Sequence, residues 1–365
     1  MSSQDEASRR EELERRVREY HGVSTAEVLE LVSYLRDEGD SVIAGGSLAL
    51  RLGNHLSDLD ILIAGDTTVE SSRVPLEHFV KTLRVDVWKL EQRLIEETFD
   101  RAETALGAPE PLHGSFGDVD HETDLKLLHR IAFGVTLDGP GLEASATRDY
   151  KTIAADLVVR EYAERLHASA FLAQVAARMG RPIAASINAR LAVEEALNAV
   201  IANRRIPFTG DKWLRERLAS DTQDLAPAYA PFATLPEAPG DVPAFVERAV
   251  AACSELTGRD LSLATLRREA GWSFGGLEAA KVGEQDMLLA VDVGGLWQLE
   301  PDEAAAWERI VQRGADTGEG VWRAERCDEE ELRLCLRLHE EGVASLRWAR
   351  GVPARELTLE QAVSA

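Results

Sequence analysis

The chain has 365 residues, 45% of them hydrophobic, and a formal net charge of −23, so it can bury a sizeable core in roughly two or three domains. So acidic a surface opposes non-specific attraction to nucleic-acid phosphates or anionic lipid, and no run approaches the roughly 20 apolar residues that a membrane-spanning helix needs. Neither nucleic acid nor membrane is expected as a partner. Cys253, Cys327 and Cys335 form no C-x-x-C pair and suit a reducing compartment. Arg9 and Arg10 precede no apolar stretch of the kind an export signal requires, and cytoplasmic residence is the expectation.

In chain order, "EASRREELERRVREYHG" reads as a charged amphipathic helix. "STAEVLELVSYLRDEGD" opens a second helix with Ser24 and Glu27 in capping-box spacing and Val28, Leu31, Val32 and Leu35 on one face. "SVIA" is a strand leading into Gly45 and Gly46, "SLALRL" begins a helix, and "LDILIAG" and "LRVDVWKL" alternate as strands. A small mixed sheet flanked by helices follows. From about Asp120 the pattern is helical for some hundred residues and predicts an antiparallel bundle. Residues 221–243 carry five prolines and read as a linker or extended crossing segment. The tail orders as strand, Gly-Gly turn, strand ("DMLLAVDVGGLWQLEP"), two helices ("DEAAAWERIVQRG" and "DEEELRLCLRLHEEG") and a closing strand ("VASLRWARG"), which predicts a winged-helix-like module. Trp272, Trp297, Trp307 and Trp322 are expected in its core.

The chemistry concentrates in "GGSLALRLGNHLSDLDILI". On a strand, positions i and i+2 share a face, so Asp58 and Asp60 lie together while Leu59, Ile61 and Ile63 point to a core. Adjacent carboxylates repel unless a cation lies between them, and hard oxygen ligands suit Mg²⁺. In "RVDVW", Val85 and Val87 face inward, so Asp86 projects with Arg84 and Trp88 and supplies a third carboxylate. Gly45 and Gly46 let the backbone approach a triphosphate closely, Ser47 can donate its hydroxyl and amide to phosphate oxygens, and Arg51, one helical turn on, can reach a phosphate. His121 and His129 are too far apart for a helical i, i+4 ligand pair.

At these residues the sequence resembles the DNA polymerase β-like nucleotidyltransferase superfamily, with Gly46 and Ser47 at its turn, Asp58 and Asp60 as its acid-hydrophobic-acid pair and Asp86 as its third acid. The resemblance implies an α+β fold, Mg²⁺ (two ions), a nucleoside triphosphate co-substrate, ATP first among them, and transfer of a nucleoside monophosphate to an acceptor hydroxyl with release of pyrophosphate. Asp58, Asp60 and Asp86 would hold metal, and Asp86 would serve as base, with Glu194 or Glu195 as alternatives. In organisation the chain is similar to antibiotic nucleotidyltransferases of the aminoglycoside and lincosamide type, which add a helical bundle. "RLAVEEALNAVIANRRIPFTGDKWL" matches there and implies a phosphate contact for Lys212. The stretch "GSLALRLG" departs from the family's usual turn, so the acceptor class does not follow.

The tail string "MLLAVDVGGLWQLEPDEAAAWERIV" resembles PqqD-like peptide-recognition modules, which would add a peptide as a strand. The expected organisation is therefore a nucleotidyltransferase domain over 1–115, a helical-bundle substrate domain over 116–220, a Pro-rich linker and helix over 221–259, and a winged-helix-like module over 260–365. Three functions are consistent with it: transfer to a small-molecule acceptor, transfer to a peptide or protein recruited by the tail, or nucleotide binding without turnover.

Overall fold

A computed structural model describes residues 3–66, 75–108, 121–140, 149–206, 213–220, 222–274, 277–282, 285–290, 295–314 and 321–348. They form a mixed α+β protein that divides into two compact units, one drawn from 1–108, 112–159 and 201–224, the other from 109–111, 160–200 and 225–365.

The first unit opens with helices α1 (Ser3–His21) and α2 (Thr25–Val32). The Ser24 hydroxyl accepts from the Glu27 amide at 3.2 Å while the Glu27 carboxylate accepts from the Ser24 amide at 2.8 Å, so two of the orphan N–H groups at the start of α2 find partners. Strand β1 (Ser41–Gly45) runs into a single helical turn, α3 (Gly46–Ala49). The longer helix expected over "SLALRL" does not form. The amides of Leu52 and Gly53 both bond back to the Ser47 carbonyl at 2.9 Å and close the turn, with Arg51 at φ 65°.

Strands β2 (Leu59–Gly65), β3 (Leu76–Val80), β4 (Leu83–Glu91) and β5 (Val135–Asp138) complete a sheet of order β3-β4-β2-β1-β5. Strand β2 is parallel to β4 and antiparallel to β1, and β3 and β5 close the two sides in antiparallel fashion. Strict alternation sorts β2 and β4 onto two faces. Leu59, Ile61, Ile63, Val85 and Val87 enter a core with Leu13, Val17, Val28 and Val32 from α1 and α2. Leu62, Ala64, Leu90 and Trp88 enter the other with α4 (Gln92–Gly107), α5 (His121–Phe133) and the start of α6 (Tyr150–Arg178).

The helical run expected from Asp120 is interrupted at β5. "VTLD" sits between Gly134 and Gly139; Gly139 has φ +83°, and a side chain at Gly134 would strike Ile43 and the Arg130 carbonyl. The two glycines let the chain leave α5 and lie flat against β1.

In the second unit, α6 is followed by α7 (Pro182–Asn203), with Gly180 at φ +66° between them. The ion pair Arg160–Glu164, at 3.2 Å, is almost wholly withdrawn from solvent. The proline segment is not extended. Four of its five prolines stand in the first turns of α8 (Ala226–Tyr229), of 3₁₀ turns, and of α9 (Val242–Thr257), where the missing N–H costs nothing; Pro236 lies between these elements, and Tyr229 and Phe232 are buried.

The tail holds α10 (Leu263–Glu269), β6 (Ala270–Ser273), β7 (Leu277–Val282), β8 (Gln285–Ala290), β9 (Gly295–Gln298), α11 (Pro301–Arg313), β10 (Val321–Arg323), α12 (Glu329–Glu340) and β11 (Ser345–Trp348). The hairpin read in the sequence is β8–β9, extended by β7, whereas the closing strand β11 pairs with β6 in a separate sheet of order β10-β6-β11. Trp272 and Trp307 are buried and Trp297 and Trp322 half-buried; all three cysteines are buried and free. Among the described residues no helix is long and apolar enough to cross a membrane.

Candidate active site

One row of residues crosses four strands of the first sheet. Gly45 on β1 pairs with Asp60 on β2, Asp60 with Asp86 on β4, and Asp86 with Glu77 on β3. Paired residues in a ladder point to the same side, so three carboxylates and the glycine turn stand together on the α4–α5 side of the sheet. Asp58 lies immediately before β2 and is half-buried. Asp60 and Asp86 are only 8% and 5% exposed, low values for carboxylates.

At the end of β1 the backbone turns at Gly46 with φ +72°, a left-handed conformation that a side chain disfavours. A Cβ built there would fall inside the Asp60 carboxylate. The glycine thus lets the turn and the acid share one small space. Ser47 is half-buried in the following turn, and Arg51 is exposed. Lys212 lies outside the described residues.

Two arginines hold the acids. Arg84 spans Asp86, its Nε and Nη2 donating to Oδ1 and Oδ2 at 2.8 Å each, with Nη2 also 3.0 Å from Glu77 Oε1. Arg130, on α5, places Nη2 3.3 Å from Asp60 Oδ1 and its guanidinium 4.4 Å from the centre of the Trp88 ring. Its stem lies against the backbone of Gly45, where a Cβ would come within 3.1 Å of Arg130 Cγ. Burial pushes the Asp60 carboxyl above its ordinary range; Arg130 opposes this, while the charges of Asp58 and Asp86 add to it. His129, beside Arg130 in sequence, is buried and held down to about 3 by desolvation and then by Arg217 and Arg130.

Among the described residues no three His, Cys, Asp or Glu side chains are drawn together tightly enough to hold a metal ion, and guanidiniums engage carboxylate oxygens of Asp60 and Asp86. In kind the donors fit a hard divalent cation: all are carboxylate oxygens on one face, and Asp60 is under-compensated despite Arg130.

Glu194 accepts from Arg190 and from the Tyr229 hydroxyl at 2.9 Å, and Glu195 pairs with Arg165 at 3.3 Å; these partners all belong to the second unit. Sequence reading missed Arg130 and Glu77. Glu77 lies on the short strand "LEHFV", and nothing in the helical pattern of α5 marks Arg130 as the residue facing β2.

No protein-family model and no curated protein matches the chain. Among solved structures the chain is similar to a nucleotidyltransferase-like protein from Exiguobacterium sibiricum 255-15, at 12% identity over 65% of this chain and 76% of that one, with a TM-score of 0.34.

Proposed function

We propose that the chain is a metal-dependent nucleotidyltransferase that moves a nucleoside monophosphate from a nucleoside triphosphate, ATP in the first instance, to a hydroxyl of a small-molecule acceptor, releasing pyrophosphate. The observation that carries this reading is the Gly45–Asp60–Asp86 row with Gly46 folded onto Asp60. It joins buried acids of one face to a turn whose two glycines carry no side chain of their own.

In this reading Asp58, Asp60 and Asp86 hold the divalent cation. Bound there, such a cation supplies Lewis-acid stabilisation of charge on the transferred phosphoryl group and on departing pyrophosphate. Because α3 is one turn long, the phosphates are met by the peptide N–H groups of the turn and by the Ser47 hydroxyl rather than by a long helix dipole. Arg130, fixed against Trp88 and Gly45, adds positive charge beside the row, and Arg51 and Lys212 are further phosphate contacts. Asp86 is the residue to accept the acceptor's proton once its guanidinium partner has moved.

The test is incubation of the purified chain with each nucleoside triphosphate, Mg²⁺ and a panel of polyhydroxylated acceptors, including aminoglycosides and lincosamides. Pyrophosphate and acceptor mass are followed. Stoichiometric pyrophosphate and a nucleotide-sized mass gain are expected; a chain that binds nucleotide yet releases no pyrophosphate with any acceptor refutes the reading. The full engagement of Asp86 by Arg84 favours a second reading, nucleotide binding without turnover, which that outcome would support. Transfer to a peptide or protein recruited by the tail would show as pyrophosphate release only when such an acceptor is added.

A further inference from the structure

The two arginines of the acid row are held in different ways, and the difference has a functional meaning. Arg130 is pinned. Its stem fills the space above Gly45, its guanidinium covers Trp88, and its side chain is 25% exposed. Arg84 is 44% exposed, leaves the same strand two residues before Asp86, and has a second acceptor within 3.0 Å in Glu77, itself more than half exposed. Its two parallel bonds to Asp86 use both carboxylate oxygens. That geometry is strong for an arginine and occupies the inner lone pair of each Asp86 oxygen, so a cation can take that side of the carboxylate only if the guanidinium moves.

We propose that Arg84 is a displaceable resident cation of the acid row: it holds Asp86 while no divalent cation is bound, and metal uptake is an exchange in which the guanidinium leaves Asp86 for Glu77. This rests on the functional reading above. Arg84 and Arg130 offset two of the four negative charges of Asp58, Asp60, Asp86 and Glu77, and with Arg84 directly on Asp86 this weakens the attraction of that carboxylate for an incoming divalent cation. Transfer of one exposed arginine to Glu77 restores that attraction and frees that side of both oxygens. The same contact keeps the buried Asp86 carboxylate from being uncompensated in the metal-free protein, as Arg130 does in part for Asp60. Arg84 is thus a positioning residue that sets metal affinity through Asp86.

The experiment is titration of the full chain with Mn²⁺, read as loss of the free-ion paramagnetic resonance signal, with Asp60→Asn as the blank for Mn²⁺ bound elsewhere on this acidic protein. Arg84→Gln is expected to bind Mn²⁺ about tenfold more tightly than the parent, because no bidentate pair has to be broken. Arg84→Lys keeps the charge but cannot span both oxygens, and is expected to fall between the two. Arg84→Gln binding no tighter than the parent overturns the exchange. So does Arg84→Lys matching the parent while Arg84→Gln is tighter, since charge alone would then explain the gain. If neither parent nor variants bind Mn²⁺ above the blank, the functional reading falls as well, whereas a parent that binds Mn²⁺ and releases pyrophosphate while Arg84→Gln binds no tighter leaves that reading intact.

Discussion

Gly46 and Asp60 compete for one volume: the glycine has φ +72°, and a methyl group on it would overlap the Asp60 carboxylate. The turn at the end of β1 and the buried acid on β2 therefore fit only while position 46 has no side chain. Gly46→Ala is expected to cost about 1–2 kcal/mol from the left-handed backbone alone, and to displace Asp60. Nucleotidyl transfer should fall at least about 100-fold, the scale of an ångström-level misplacement, measured as pyrophosphate release beside a urea unfolding curve.

Asp60→Asn separates activity from stability. Transfer should drop below about one-thousandth of the parent rate. The parent carboxyl titrates above its ordinary range because it is buried, so the folded state holds its proton more tightly than the unfolded state does. Stability from this group is therefore present at low pH and lost as pH rises past the unfolded value of about 3.9. The melting temperature of Asp60→Asn relative to the parent should accordingly be more favourable at pH 7 than near pH 4. A difference that runs the other way would contradict the burial of an under-compensated acid.

His129 and His167 supply the opposite sign. Both are buried and neutral when folded, with values lowered to about 3, chiefly by desolvation. Their stability is fully present above the unfolded value of about 6.5 and declines as pH falls towards 3, by up to about 1.4 kcal/mol per pH unit for each. Urea midpoints measured at pH 7, 6 and 5 should fall in that order. The fall should be shallower in His129→Leu, where one of the two groups is gone.

In the tail, Glu331 is 1% exposed, receives Arg313 at 2.8 Å and the Asp328 amide at 2.9 Å, and completes the capping box of α12. Glu331→Ala removes the cap partner and leaves arginines facing an empty buried site, at a cost of about 2 kcal/mol. Calorimetry of the full chain should show the loss, and Glu331→Gln, which can still accept the Asp328 bond, should recover part of it.

Much of the acid row was legible because β2 and β4 alternate without a break. Leu59, Ile61, Ile63, Val85 and Val87 declare one face, so Asp60 and Asp86 fall on the other. The capping box of Ser24 and Glu27 was equally plain. The strands β3, β5, β6 and β10 were not, being five residues or fewer. "AGWS" and "VTLD" become strands only because Trp272 and Val135 have partners to bury against. Arg130 could not be read at all. Helical periodicity says which residues share a side, but not which way that side is turned towards a sheet.

The parallel ladder between β2 and β4 also governs how this chain can tolerate a deletion. Asp86 is kept opposite Asp60 by backbone pairing from Leu59–Val85 to Gly65–Glu91, not by the length of the excursion that joins the strands. The ladder's register, not chain length, decides which side chains stand opposite each other. Deleting Val85 would carry the third acid to the opposite face of β4, into the oily layer beneath α1 and α2.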